Sequence, residues 1–187
     1  LSANEINNVL ETTSNLAMAT GSSLESTVDV MTSAIAVWGL NSEEAEHLAD
    51  VMVSGMNKTK ATLDTFRMSV QYAGSTVAGL NVNFEDFAAV ISAAANAGLR
   101  SSVIGTGLRA VISELQAPTV RLVENLSKLG ITQEDVDIRS IGLIQTLQNL
   151  KDSGINASNA YQIFNKRAAT FYVSLLGQID SIEELRK

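Results

Sequence analysis

The sequence predicts an all-α fold, a multi-helix array of helical hairpins, on three observations. Apolar residues recur at i, i+3, i+4 and i+7 in one segment after another. Apolar residues make up 45% of the 187 residues but aromatics only 5%, so Ala, Leu, Val and Ile carry the burial. That mix suits helix-on-helix packing better than a sheet sandwich. The chain also has a single proline, Pro118, too little turn punctuation for a β-rich protein of this length.

The elements follow in order. Glu5 to Ala19 places Ile6, Val9, Leu10, Leu16 and Ala17 at helical spacing, and Ser23 to Val37 repeats the pattern with Leu24, Val28, Met31, Ile35 and Ala36. Further helices are predicted at Ser42–Ser54, Thr62–Val77, Phe84–Ala97, Val103–Gln116 and Thr119–Leu129. Ser140–Lys151, Ala157–Asn165 and Lys166–Leu176 complete the series. One stretch departs from the helical period. Between Ile131 and Gly142, Val136, Ile138 and Ile141 are spaced like a short strand, so an irregular loop with local extended pairing is expected there.

Four breaks share one local pattern of Gly, aliphatic, then Asn or Thr: Gly39-Leu40-Asn41, Gly79-Leu80-Asn81, Gly130-Ile131-Thr132 and Gly154-Ile155-Asn156. The physics is that of a compact helix-to-helix joint. Gly closes one helix in the left-handed conformation. The aliphatic residue packs back, and the Asn or Thr side chain caps the next helix. Glu44 and Asp135 follow their caps at the position where a carboxylate completes a capping box or meets the positive end of the helix dipole. Gly39 and Gly79 stand 40 residues apart, but the segments between align poorly, and a common joint needs no duplication.

Composition excludes several functions. With no cysteine there is no disulfide framework, thiolate metal site or cysteine nucleophile. A formal net charge of −7 argues against direct nucleic-acid binding by this segment, which needs a basic footprint. No apolar run reaches the roughly 18 to 20 residues a membrane span needs. The opening Leu1-Ser-Ala-Asn-Glu lacks the pattern of a secretory signal, and a start at leucine points to excision from a longer chain.

No set of residues predicts catalysis, a metal or a cofactor. His47 is the only histidine, within Glu43-Glu44-Ala45-Glu46-His47, and reads as an exposed helical histidine beside acidic neighbours. Glu43, Glu44, Glu46, Glu85 and Asp86 fall in first turns of helices, where dipole complementarity accounts for them better than a carboxylate dyad. Gly105-Thr-Gly-Leu-Arg-Ala110 fits the loose dinucleotide pattern, with Glu124 near the acidic offset. That pattern works only at a strand-to-helix turn, and no parallel strand partner is visible. Close helix packing at Gly105 and Gly107, with Leu108, Val111 and Ile112 in a core, is the expected role. Asn57-Lys58-Thr59 matches a glycosylation triplet by chance.

Several ordered blocks resemble the core of phage tail tape-measure proteins. They are Gly39-Leu40-Asn41-Ser42-Glu43-Glu44-Ala45; Leu63 to Ala78 with Gly79-Leu80-Asn81; and Phe84 to Ala97. Then come Asn96-Ala97-Gly98, Gly105-Thr106-Gly107-Leu108-Arg109 and Leu115-Gln116-Ala117-Pro118. Leu129-Gly130-Ile131 and Ile163-Phe164-Asn165-Lys166-Arg167-Ala168 close the set. Ile104 stands where the family usually has Ala, and Asn165 where it usually has Gly. Asn tolerates a left-handed backbone, so the turn at Asn165 is expected to persist. The resemblance runs from about Gly39 to Leu176; residues 1–38 match only as a generic helical approach.

The resemblance implies a noncatalytic structural module acting in tail assembly and length determination, with a role in genome delivery. It implies tail tube subunits and tail assembly chaperones as partners, self-association in the tail lumen, and a place in the virion tail interior after assembly in the host cytoplasm. Some such parents carry a separate cell-wall-cleaving domain. The expected organisation is an N-terminal helical segment at 1–38, a core helical domain at 39–178 and a C-terminal tail at 179–187. A helical adapter of a secretion or signalling system is the alternative reading of the residues.

Overall fold

A computed structural model describes residues 3–186. Leu1, Ser2 and Lys187 lie outside the described residues, as do the side chains of residues 3–6 and 8, and with them the predicted apolar role of Ile6. Helices α1 (Ala3–Thr20) and α2 (Leu24–Trp38) form the first hairpin. A 3₁₀ turn (Ser42–Glu44) leads into α3 (Ala45–Lys58). Then come α4 (Leu63–Ser69), a π turn (Val70–Gly74) and α5 (Ser75–Ala78), followed by α6 (Phe84–Asn96), α7 (Ser101–Gln116) and α8 (Val120–Lys128). The remainder comprises a 3₁₀ turn (Glu134–Val136), α9 (Ile138–Ile141), α10 (Leu143–Asp152), α11 (Ala160–Ile163), α12 (Lys166–Leu175), a 3₁₀ segment (Leu176–Ser181) and α13 (Ile182–Arg186). No strand occurs among the described residues.

The core is organised by α6. Phe84 and every residue from Phe87 to Ala95 are buried, so this helix is covered all round. Its alanines let neighbours approach closely, and α3, α4, α12 and α13 pack on it. Gly55 brings α3 close: a Cβ there would stand 2.5 Å from the Ser92 Oγ of α6 and 3.0 Å from the Phe66 Cζ of α4. The first hairpin is part of this same packing. Val30, Met31 and Ala34 are fully buried, and α1 lies against α2 and α3. At the other end, Ile179 and Ile182 are buried, and α13 lies against α6.

The joints behave unequally. Gly39 has φ 65° and the Leu40 N–H donates to the Ile35 carbonyl at 3.0 Å, the six-to-one closure that only a left-handed residue allows. Asn41 then caps the next turn, its side chain accepting from the Glu43 and Glu44 amides while Glu44 accepts from the Asn41 N–H at 2.9 Å. At the second joint the expectation is corrected. Gly79 has φ −63°, and Asn81 holds the left-handed φ of 60°. The reversal comes one residue pair later because Leu80 must reach the core, where it is 3% exposed. The cap of α6 is therefore Asn83, which accepts from the Asp86 N–H at 2.8 Å. Gly130 and Gly154 have φ of 77° and 88°, with Ile131 and Ile155 buried behind them. Thr132 pairs with Asp135, and Asn156 organises a turn at 157–159 by accepting from the Ser158 N–H at 2.8 Å.

The stretch 131–142 differs from expectation: it forms the 3₁₀ turn and α9, without extended pairing. Local capping decides this. Thr132 donates from both its backbone N–H and its hydroxyl to Asp135, and Asp137 accepts from the Arg139 N–H and the Ser140 hydroxyl. Val136 and Ile138 still bury their side chains, from consecutive helical turns in place of one strand face. Three other bounds shift. The helix expected at Ala157–Asn165 is only Ala160–Ile163, that at Ser140–Lys151 breaks at Gly142, and Thr62–Val77 contains the π turn.

The Thr132–Asp135 clasp carries a pH dependence. The backbone and hydroxyl hydrogen bonds from Thr132 hold the Asp135 carboxyl below its ordinary value of 3.8. A lowered folded-state value means the carboxylate stabilises above that ordinary value and the contribution is lost as pH falls through the lowered one. Asp135→Asn is expected to flatten this part of the stability profile between pH 5 and acid, measured by urea denaturation at stepped pH. A variant profile parallel to that of the parent sequence would contradict it.

Candidate functional site

Helix α7 carries the G-x-G segment, and its two glycines do separate jobs. Two residues on a helix stand about 200° apart around the axis, so Gly105 and Gly107 face opposite ways. A Cβ at Gly105 would lie 2.9 Å from the Ser69 Cα and 3.1 Å from the Met68 carbonyl oxygen, both backbone atoms of α4. A Cβ at Gly107 would lie 2.6 Å from the Phe171 Cβ of α12. Helix α7 is thus gripped between α4 on one side and α12 on the other, each close enough to admit only glycine. Ile104, Leu108, Val111 and Ile112 lie on the face between the two glycines and are wholly buried, while Ser102, Arg109 and Ser113 on the opposite face are exposed.

This segment is mid-helix, with Ser101 as the first helical residue, so no strand-to-helix turn exists to cradle a pyrophosphate. Glu124 sits exposed on α8. The other motif residues surround the same helix. Asn96 ends α6 and its side-chain amide donates to Gln178 Oε1 at 2.8 Å. Gly98 has φ 87°, and the Leu99 N–H closes back to the Ala94 carbonyl at 3.2 Å. Thr106 returns its hydroxyl to the Ser102 carbonyl at 2.9 Å, and Arg109 is exposed. Pro118 lies in the link 117–119, after which Thr119 caps α8 by accepting from the Leu122 N–H.

Asn165 requires a correction. It has φ −65°, so it holds no left-handed turn; it is the cap of α12, accepting from the Arg167 and Ala168 amides at 2.9 and 3.0 Å. Its own N–H donates to the Glu114 carboxylate at 3.0 Å, tying the start of α12 to the end of α7. The side-chain oxygen explains why Asn is placed here, since Gly would leave both amides unpaired. Asn165→Ala is expected to cost about 1 kcal/mol, read from the midpoint of urea unfolding. An unchanged midpoint would refute the capping role.

Among the described residues, the titratable groups pair across helices and form no metal-type cluster. His47 is 65% exposed, and its partner is Glu85 of α6, with Nε2 2.6 Å from Oε1, in place of the acidic neighbours on its own helix. Burial works to raise the Glu85 carboxyl, but the hydrogen bonds from His47 and from its own backbone outweigh it, so the group is held below its ordinary value. Burial pushes Asp86 up, with Arg186 opposing, and Arg186 Nε lies 2.7 Å from Asp86 Oδ1. This pair ties α13 to the first turn of α6. The Tyr172 phenol is buried and pushed up, and its O–H donates to the Ile155 carbonyl at 3.3 Å. No group of three or more His, Asp or Glu residues suited to a metal occurs among the described residues.

Comparison with known proteins fits this picture of a packing scaffold. A family model described as phage-related minor tail protein matches residues 1–170, taking in the first 38 residues that the motif resemblance left as generic. The chain is 27% identical over 169 residues to the tape measure protein of Pneumococcus phage Dp-1, covering 90% of this chain and 14% of that protein. It is 32% identical over 123 residues to the probable tape measure protein of Escherichia phage P2, covering 66% of this chain and 15% of that protein. The chain thus spans about a seventh of the length of these relatives. No solved structure matches it.

Proposed function

Because the chain belongs to the phage-related minor tail protein family, we propose that it is a noncatalytic structural module of a tape-measure-type tail protein, acting in tail assembly and length determination and in genome delivery. The observation that carries the reading is the match to tape measure proteins from two phages across most of the chain. The site chemistry agrees with it. Gly105 and Gly107 sit at close helix contacts and Asn165 at a helix cap. The relatives' names favour this reading over a secretion or signalling adapter.

The proposed partners are tail tube subunits and tail assembly chaperones, with self-association in the tail lumen. The proposed location is the interior of the virion tail, reached from the host cytoplasm during assembly. Residues 39–178 are proposed as the core module, with the described residues of the flanking segments 1–38 and 179–187 packed on it. No helix among the described residues is long and apolar enough to cross a membrane.

The test is an in-frame deletion of this segment from the parent gene, with tails imaged by negative-stain electron microscopy. Absent, shortened or aberrant tails are expected. Tails of normal length on fully infectious particles would overturn the proposal.

A further inference from the structure

The chain has one tryptophan and one histidine, and both line a single cleft of about 860 Å³. The cleft lies where the end of α2, the start of α3, α5 and the start of α6 meet, and the segments 39–41 and 79–81 both contribute to its wall. Its apolar lining includes Trp38, Leu40, Val82 and Phe84. The indole is held in place there. Its Nε1–H donates to the Val82 carbonyl at 2.9 Å, and the Phe84 and Phe87 rings stand 5.1 and 5.0 Å from it, centroid to centroid. In a chain with so few aromatics, two phenylalanines pack against this one half-buried indole at the edge of an open cleft.

Two carboxylates, Glu44 and Glu85, also line the cleft, and no lysine or arginine does. The exposed His47 lies with Nε2 2.6 Å from Glu85 Oε1 and competes with an incoming cation for that carboxylate. A rigid aromatic face beside two carboxylates is the arrangement that receives a long cationic side chain: the charge meets the carboxylates and the methylene stem lies on the ring. A neutral or anionic group would gain no charge attraction from the carboxylates, and a small inorganic cation would leave the apolar lining uncovered. Anchored aromatic pockets of this kind are where binding energy concentrates in protein interfaces.

We infer that the cleft between α2, α3 and α6 docks an arginine or lysine side chain of a partner polypeptide, held by Glu85 and Glu44 against Trp38. The inference concerns a docking point on the module and stands apart from the ruler function proposed above.

Trp38 supplies its own reporter. The chain is titrated at low salt with acetyl-Gly-Arg-Gly-amide and, separately, with the citrulline counterpart, which keeps the shape and removes the charge. A saturable change in tryptophan emission is expected with the arginine peptide, and binding about fivefold or more weaker with citrulline. Glu85→Gln is expected to weaken arginine binding by a similar factor, with its melting curve recorded to establish that it folds. His47→Ala, an exposed change that leaves the Glu85 charge in place, is expected to bind at least as tightly as the parent sequence. No saturable change, equal affinity for citrulline, full affinity in the folded Glu85→Gln variant, or loss of binding in His47→Ala would each overturn the inference.

Discussion

Gly107→Leu is expected to lower the unfolding free energy by about 3 kcal/mol, at the upper end of the range for overpacked cores. The reason is which atom stands in the way. The nearest neighbour of a new Cβ is the Phe171 Cβ, at 2.6 Å, with the ring atoms Cγ and Cδ2 at 2.9 Å. A Cβ cannot swing aside as a side-chain tip can, so the backbones of α7 and α12 must separate. Truncating Phe171 to alanine would leave the closest contact in place and so should not rescue the variant. The gain of helix propensity on leaving glycine, about 1 kcal/mol, offsets only part of the cost. Gly177 is the control: a Cβ there meets nothing within 4 Å, and Gly177→Ala should stabilise by about 0.5 kcal/mol. Thermal unfolding by circular dichroism reads both. An unchanged melting temperature for Gly107→Leu would refute the close contact.

Phe66→Ala is expected to cost more, about 3 to 5 kcal/mol. Phe66 is wholly buried on α4, and its ring tip reaches toward Gly55 of α3, in the gap that also holds Ser92 of α6. Removing the ring opens a cavity where three helices meet, and the tight α3–α6 approach at Gly55 limits how far they can close it. Urea unfolding should show a lower midpoint with an unchanged slope. A loss below about 1 kcal/mol would mean that the three helices can collapse onto the space, against the packing described.

What the residues disclosed in advance follows a physical division. The Asn41–Glu44 and Thr132–Asp135 clasps join groups three positions apart, so they are written in the local order of the chain. Helix α7 and the packing role of Gly105 and Gly107 were readable because a glycine pair inside an apolar helical period has few other uses. What faces those glycines was not. Phe171 is 64 positions from Gly107 and Glu85 is 38 positions from His47, and such pairs are set by how the helices cross, which periodicity does not encode. The strand-like spacing of Val136 and Ile138 misled for a related reason: two buried residues two apart satisfy a strand face or two short helical turns equally, and the Thr132 and Asp137 side chains choose the latter. Asn165 misled because Asn suits both a left-handed turn and an N-cap, and only the Glu114 contact and the start of α12 distinguish them.

Helix α7 is held from both sides, by α4 at Gly105 and by α12 at Gly107, and the proposed structural role requires that packing to stay intact. The most direct measurement places Gly107→Leu and, separately, Gly177→Ala in the parent gene of a producing phage and compares tails by negative-stain electron microscopy. Few or misassembled tails are expected for Gly107→Leu and normal tails for Gly177→Ala. Normal tails, in number and length, from a Gly107→Leu phage would contradict it.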